Sequence, residues 1–461
     1  MNLAALPFFD LAWLSPLLGA AWTAAAKDPA VARRRAIATM SVALFAAGCV
    51  WATVEFGRER VARAHLFVPW PDQQAFLVDS LNAPLIAATA FIHLFVIIRA
   101  PRAKYHRFSF AGALLFETLM FATFASVAQL ATATLTAVAV VGPVLTLVRE
   151  RQPLRLFLLH VVTASFLLLV GAVMTSASNP WGGGVFALGA LIASGLFPFH
   201  LWAIDLFERG SLGAMLLAMA PMPATYAICR FVLPSATNSQ LQALQMIALA
   251  TALYAAGLGL VQRDARRYFG RLFLSLQALV LAGIFAATPL GLGGALCLWI
   301  SSSLALAGLG LTLRSLELRH GEIHLVRHLG LFRSTPFLAS SFLLTGLACV
   351  GFPGTLSYIA LELVQNSALE LRGSMGILAV AAVALNAISI LRVYFLAFAG
   401  PPRETPIAIA STVRERVGGM AFVGIVALGG LFAQPMVEGR LNAAEKVLAE
   451  RAAKGRLAEK N

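Results

Sequence analysis

Apolar runs of about twenty residues, each long enough to cross a bilayer, alternate with short polar stretches along most of the chain. Windows of that length place spans near 5–26, 36–54, 76–98, 108–127, 129–148, 156–177 and 185–203. Others fall near 212–233, 241–261, 272–287, 292–313, 336–369, 374–396 and 418–437. The pattern predicts an all-α polytopic membrane protein with about 14 transmembrane helices, because only helices satisfy their own backbone in lipid when no long alternating strands are present. Two runs are interrupted by helix breakers. Gly351-Phe352-Pro353-Gly354-Thr355 divides the long 336–369 run, and Pro221 with Pro223 divides 212–233. Such breaks free backbone groups at membrane depth, so broken helices or packing kinks are expected at both. The first run lacks a basic leader and carries Asp10, so it is read as a retained span.

Composition strengthens this picture. The chain is 59% hydrophobic and 12% charged, about half the charge of soluble domains, with a mean hydropathy of +0.81. The net charge of +14 does not mark a nucleic-acid binder, because the arginines gather in short loops after alternate spans. Lys27–Arg35, Arg99–Arg107, Arg149–Arg155, Arg263–Arg271, Arg314–Arg333 and Arg403–Arg416 all follow odd-numbered spans. By the positive-inside rule these loops are cytoplasmic, in a bacterial-type inner membrane. The 55–75 loop is discordant, with three arginines on the opposite side. Residues 1–437 then form one membrane domain, and 438–461 a polar tail of alternating acids and bases suited to an exposed or interfacial helix. The four cysteines lie singly in apolar runs, and no haem-attachment, phosphate-loop or dinucleotide motif occurs. No cofactor or metal is expected in this chain.

The ionisable residues inside or beside spans are the candidate chemistry, since such groups are costly in lipid. They are Asp10, Asp79, His93, Glu117, His160, His200, Asp205, Glu208, Arg230, Arg271, Glu362 and Arg392. Glu117 sits mid-run, where an unpaired charge costs at least ~3 kcal/mol; it is expected to be neutral or paired across a helix interface. His160 could relay a proton, or could simply bond a backbone carbonyl. His200, Asp205 and Glu208 fall within nine residues at a helix end, where they could share charge or could stitch helices together. Glu362 is the best-placed acid of the second half. The proton-path candidates are therefore Glu117, His160, His200, Asp205, Glu208 and Glu362. Asp79, Arg230, Arg271 and Arg392 are assigned to structural charge, with Arg230 and Arg392 expected to snorkel from span ends to the interface.

Four stretches resemble a known family. Pro198-Phe199-His200-Leu201-Trp202 with Asp205 is one, followed by Asp264-Ala265-Arg266-Arg267, the break at 351–355 and Leu391-Arg392-Val393-Tyr394-Phe395. In order and spacing they resemble the antiporter-like membrane subunits of respiratory complex I, Mrp-type antiporters and membrane-bound hydrogenases, over a core of about 76–400. The resemblance implies fourteen helices with inverted five-helix repeats, each holding a broken helix, and protons moving along buried Glu, Lys and His. This chain departs from that relay. The family's acidic and basic positions fall on Val138, Ala193, Met222, near Ser301, and on Leu361 beside Glu362. The chain has five lysines (Lys27, Lys104, Lys446, Lys454 and Lys460), none of them in a span.

The expectation is an antiporter-like integral membrane subunit of a multi-subunit proton-translocating complex, using a reduced or rerouted set of groups. It would be at most a membrane part of a quinone-oxidoreductase-type or hydrogenase-type assembly, without a catalytic centre of its own. Its partners would be other membrane subunits, a soluble catalytic partner and the lipid bilayer. One alternative is the membrane half of an inorganic-carbon uptake system with a zinc-bearing soluble partner. The other is a structural subunit that does not translocate.

Overall fold

The computed structural model describes residues 8–56, 62–63, 75–102, 105, 108–401 and 410–458. Most of the discordant 55–75 loop and the start of the 403–416 loop lie outside them. Contacts divide the chain into two compact units, one of Met1–Ser194 with Ala214–Ser235, the other of Gly195–Gly213 with Ala236–Asn461.

In the first unit the helices are α1 (Phe8–Ala24), α2 (Pro29–Phe56), α3 (Ala83–Ile98), α4 (Phe110–Ala125), α5 (Gln129–Ala139), α6 (Val141–Arg149), α7 (Arg155–Ser176) and α8 (Gly182–Ser194). A two-residue ribbon, β1 (Ala62–Arg63) and β2 (Leu77–Val78), pairs antiparallel with Ala62 opposite Val78. Ser109 starts α4 by accepting from the Gly112 amide at 3.0 Å. Helices α7 and α8 approach closely because glycines face the contact, and a Cβ on Gly189 would lie 2.8 Å from the Leu168 nitrogen. The outer face of α7 exposes Leu159, Val162, Phe166 and Val173, the apolar surface a lipid-facing helix presents.

The second unit holds α9 (Leu201–Arg209), α12 (Asn238–Leu260), α13 (Ala265–Phe285), α14 (Pro289–His320), α15 (Pro336–Cys349), α16 (Leu356–Leu371), α17 (Gly373–Phe398), α18 (Val413–Leu431) and α19 (Ala433–Ala458). Between α9 and α12 the chain returns to the first unit over Ala214–Ser235, with most of α10 (Leu212–Met219), α11 (Pro223–Ala227) and a π-helical turn over Ile228–Val232. Helix α14 is the axis of the second unit. It is buried from Gly291 to Leu316, as expected of a helix surrounded by others. Polar side chains tie its neighbours: Asn386 donates to Ser275 Oγ at 2.8 Å, and Ser275 donates to the Ala252 carbonyl at 2.9 Å, linking α17, α13 and α12.

Among the described residues, eight helical stretches are long and apolar enough to cross a membrane, two of them, 129–149 and 212–232, built from shorter helices in succession, and α18 with α19 passes as a pair bent by 77°. Every run read from hydropathy carries helix, and the all-α polytopic fold holds. Both expected breaks are present. Helix α15 ends at Cys349 and α16 begins at Leu356, with Gly351 at φ +74° and Gly354 at φ +91°, a region open to glycine. Helix α10 ends at Met219 and α11 begins at Pro223. Helix α19, which carries most of the polar tail, buries Arg440, Ala443, Ala444 and Val447, with Leu441 packed on Gly293 of α14. Its charge alternation hides a stripe of small residues that serves as a packing face.

Candidate functional site

In the first unit the broken segment ends in the π turn, where the Leu233 amide reaches back to the Ile228 carbonyl at 2.9 Å. Turns of this kind recur at functional positions because they swing a side chain out of the regular register. The side chain presented here is Arg230. Its Nη1 donates to Asp79 Oδ2 at 2.6 Å. Asp79 is itself held at the start of α3: its Oδ1 accepts from the amides of Leu81 and Asn82, and the Asn82 side chain accepts from the Asp79 amide. Arg230 therefore does not simply snorkel to the interface. A partner from a distant part of the chain holds it, which no local pattern could reveal. Nearby, Tyr226 donates to the Ser126 carbonyl at 2.8 Å and meets Phe124 edge-on.

Glu117 lies on α4, fully buried, and neither carboxyl oxygen has a hydrogen-bond partner among the described residues. Of the two expectations, neutral or paired, no basic partner is found among the described residues. On the adjacent α3, His93 is also fully buried. Its Nδ1 lies 2.9 Å from the Thr89 carbonyl, and its ring stacks at 6.3 Å and 13° on Phe116, the residue before Glu117. His93 stands among the ionisable residues of the spans but not among the proton-path candidates. The signal that could have raised it is its mid-run position one helix away from Glu117. His160 sits half-buried with Nδ1 3.0 Å from the Leu156 carbonyl, matching the backbone-bonded alternative.

In the second unit the Pro-Phe-His-Leu-Trp stretch is not inside a continuous 185–203 span. Helix α8 ends at Ser194, Gly195 turns with φ +70°, and His200 stands at the N-terminal boundary of α9. The Phe197 amide donates to Thr251 Oγ1 at 3.2 Å, fixing the turn on α12. The buried His200 ring stacks on Phe197 at 5.7 Å and meets Tyr254 edge-on at 5.3 Å. Arg271 covers Tyr254 with its guanidinium 5.8 Å from the ring centre, a cation–π contact.

The two acids expected beside His200 are engaged by arginines. Asp205 pairs with Arg209 one helical turn on, and Glu208 pairs with Arg267 at 2.7 Å. Arg266 forks onto both carboxylate oxygens of Glu317 at 2.7 and 2.8 Å and donates to the carbonyls of Glu208 and Gly210, closing the end of α9. Asp264 caps α13 through the amides of Arg266 and Arg267. The Asp-Ala-Arg-Arg stretch is thus a mechanical junction. Arg392 donates to the Gln262 carbonyl at 3.2 Å, just past the end of α12. Glu362 is exposed on α16, in line with Tyr358 and Asn366. Among the described residues no three of His, Cys, Asp and Glu converge to hold a metal.

The model of the NADH:quinone oxidoreductase/Mrp antiporter transmembrane family matches residues 153–388, just over half of the chain. The chain belongs to that family. Within it, the chain is 32% identical over 174 residues to NADH-quinone oxidoreductase subunit 13 of Thermus thermophilus, a match covering 37% of each chain. It thus spans well under half the length of that relative. The fold agrees over far more of the molecule. A chain of respiratory complex I from Thermus thermophilus with bound NADH superposes with a TM-score of 0.85 at 24% identity, over 96% of this chain and 99% of that one. A chain of the Mrp complex from Dietzia sp. superposes with a TM-score of 0.84 at 17% identity, over 97% and 98%. The family match takes in the His200 turn, the Asp264 junction and the break at 351–355.

Proposed function

We propose that this chain is an antiporter-like membrane subunit of a multi-subunit proton-translocating complex, set in a bacterial-type inner membrane with its arginine-rich loops on the cytoplasmic side. The observation that carries this reading is the family match over residues 153–388, on a fold that follows chains of a complex I and of an Mrp complex over nearly their whole length. Both of those chains come from assemblies, and the partners of this one would be further membrane subunits and a soluble catalytic module that supplies the energy.

The relay in this chain would be a rerouted one. Its spans hold no lysine. The second half offers His200 among aromatic rings and an exposed Glu362, while Asp205 and Glu208 are held in ion pairs. Those ion pairs favour a second reading, in which the subunit seals or anchors its complex without moving protons.

The test is purification of the tagged full-length chain from its native membrane in mild detergent, followed by proton-uptake measurements on the complex in vesicles. Stoichiometric membrane partners with a soluble module, and uptake driven by that module, are the expected results. Recovery of the chain alone would sink the reading. A complex whose uptake is unchanged by E117Q, E362Q and H200N would leave the sealing role.

A further inference from the structure

We propose that Arg271 and Tyr254 form a binding site for the phosphate of an anionic phospholipid, on a membrane-facing edge of the second unit. The site stands on the membrane-spanning fold alone and does not need the translocating role.

Three observations support it. First, Arg271 is an uncompensated charge inside a span. It lies in α13, and its buried Nε and Nη1 have no hydrogen-bond partner among the described residues. The acids around α13 are taken: Asp205 by Arg209, Glu208 by Arg267 and Glu317 by Arg266, while Asp264 caps the helix. Helices α12 and α17 carry none, and Glu362 and Glu370 of α16 are exposed. A charge left so is costly in lipid, and an anion brought to it removes that cost.

Second, the charge borders the membrane. The guanidinium lies 5.8 Å from the centre of the Tyr254 ring, which is 43% exposed. Phe197, also exposed, meets the same ring at 6.3 Å. Beyond Tyr254 the exposed face of α12 continues through Ala250, Ile247 and Ala243, one turn apart, an apolar track for an acyl chain. Third, the depth suits a phosphate. Arg271 stands about 9 Å inside the start of α13, and Tyr254 the same distance inside the end of α12. Headgroups occupy about 5–8 Å on each side of the hydrocarbon. A helix that begins at the membrane surface therefore carries Arg271 to the level where phosphate meets acyl chain.

The contact is charge-assisted. A phosphate diester oxygen accepts from the guanidinium, and the exposed Tyr254 phenol supplies a second donor. Basic pockets between spans take anionic headgroups in this way. A zwitterionic headgroup brings its own cation to the same place and gains less, and a free phosphate lacks the acyl chains that the α12 face would hold.

Native mass spectrometry and thermal unfolding test the site, on the full-length chain purified in mild detergent with the subunits that accompany it. Stripped of lipid, the protein is titrated with dioleoyl phosphatidylglycerol, dioleoyl phosphatidylcholine or inorganic phosphate. The expected result is stronger retention of phosphatidylglycerol than of phosphatidylcholine, with a melting temperature raised by about 2–4 °C by phosphatidylglycerol only. R271Q is expected to weaken phosphatidylglycerol binding about tenfold, and R271K, which keeps the charge, to hold most of it. R263Q removes the same charge from an exposed residue outside the site and should match the parent. Equal retention of the two lipids by the parent, an equal loss in R263Q, or the same rise from inorganic phosphate overturns the proposal. So does an R271Q protein that sheds a membrane subunit while keeping the parent's phosphatidylglycerol, since the guanidinium would then serve a carboxylate of that partner.

Discussion

Arg230 donates from Nη1 to Asp79 Oδ2 at 2.6 Å, joining two residues 151 positions apart. The pair connects the π turn after a broken span to the turn that leads into α3. Asp79 is simultaneously committed to two amides, so the carboxylate arrives at the guanidinium already oriented. Both side chains are mostly shielded, at 12% and 21% exposure. D79N or R230Q is expected to destabilise the first unit by about 1–3 kcal/mol, between the surface and fully buried limits for such pairs. Thermal unfolding of each single variant and of the exchanged pair D79R/R230D in detergent checks this. The exchanged pair should recover part of the loss if charge attraction is the cause, and none if the backbone contacts of Asp79 dominate.

Arg266 offers a second test, of geometry and not of charge. Its planar fork meets both oxygens of Glu317 while another nitrogen reaches the carbonyls of Glu208 and Gly210. Lysine keeps the charge but cannot satisfy four acceptors in those directions. R266K is therefore expected to lose nearly as much stability as R266A, on the order of 2–4 kcal/mol. Limited proteolysis near residues 205–213 would report the loosened end of α9. If R266K behaves like the parent, the fork is unimportant.

The contrast between these two sites shows what was legible in the sequence. Span positions follow from local hydropathy, and the break at 351–355 follows from two glycines and a proline, so both could be read directly. Asp264 as a helix cap is equally local. The ion pairs of Asp205 with Arg209 and Glu208 with Arg267 dissolve the apparent cluster around His200, and only the first has a helix-spacing signal. The Asp79–Arg230 pair has none. Arg230 at a span end looks like any snorkelling arginine until the fold brings Asp79 to it. Glu117 was visible as an anomaly, because one acid in an apolar run always is. That it lacks a partner among the described residues, and that His93 stands on the next helix, is tertiary information. Burial of α19 was hidden for a different reason: its packing face is made of alanines, which carry little hydropathic contrast against the charges between them.

Thr412 and Glu415 form a reciprocal cap at the start of α18, and Glu415 also receives both terminal nitrogens of Arg319 at 2.6 Å each. The cap and the inter-helix pair can be separated by substitution. T412A should cost about 1 kcal/mol, the ordinary worth of a cap. E415A should cost about 3 kcal/mol, since it also removes the carboxylate from a guanidinium whose side chain is only 9% exposed and leaves it only carbonyl acceptors. Apparent melting temperatures that rank T412A below E415A would contradict the assignment of Glu415 as the joint between α14 and α18.

Helices α7 and α8 approach through glycine, which makes their interface sensitive to added volume. A Cβ on Gly171 would collide with the backbone of Phe186, and one on Gly189 would lie 2.8 Å from the Leu168 nitrogen and 2.9 Å from the Ala164 carbonyl. Backbone atoms cannot swing aside as a side chain can, so the helices must separate. In lipid no hydrophobic force rejoins them, because van der Waals contact between close backbones is the main attraction. G171A and G189A are each expected to cost about 1–3 kcal/mol, the usual penalty for overpacking. G183A, on the same helix but with open space around its Cβ, should be close to neutral or slightly favourable through its better helix propensity. Cysteine pairs placed across α7 and α8 would read the separation by cross-linking yield. Equal yields in G171A, G189A and G183A would show that the close approach does not hold this pair together.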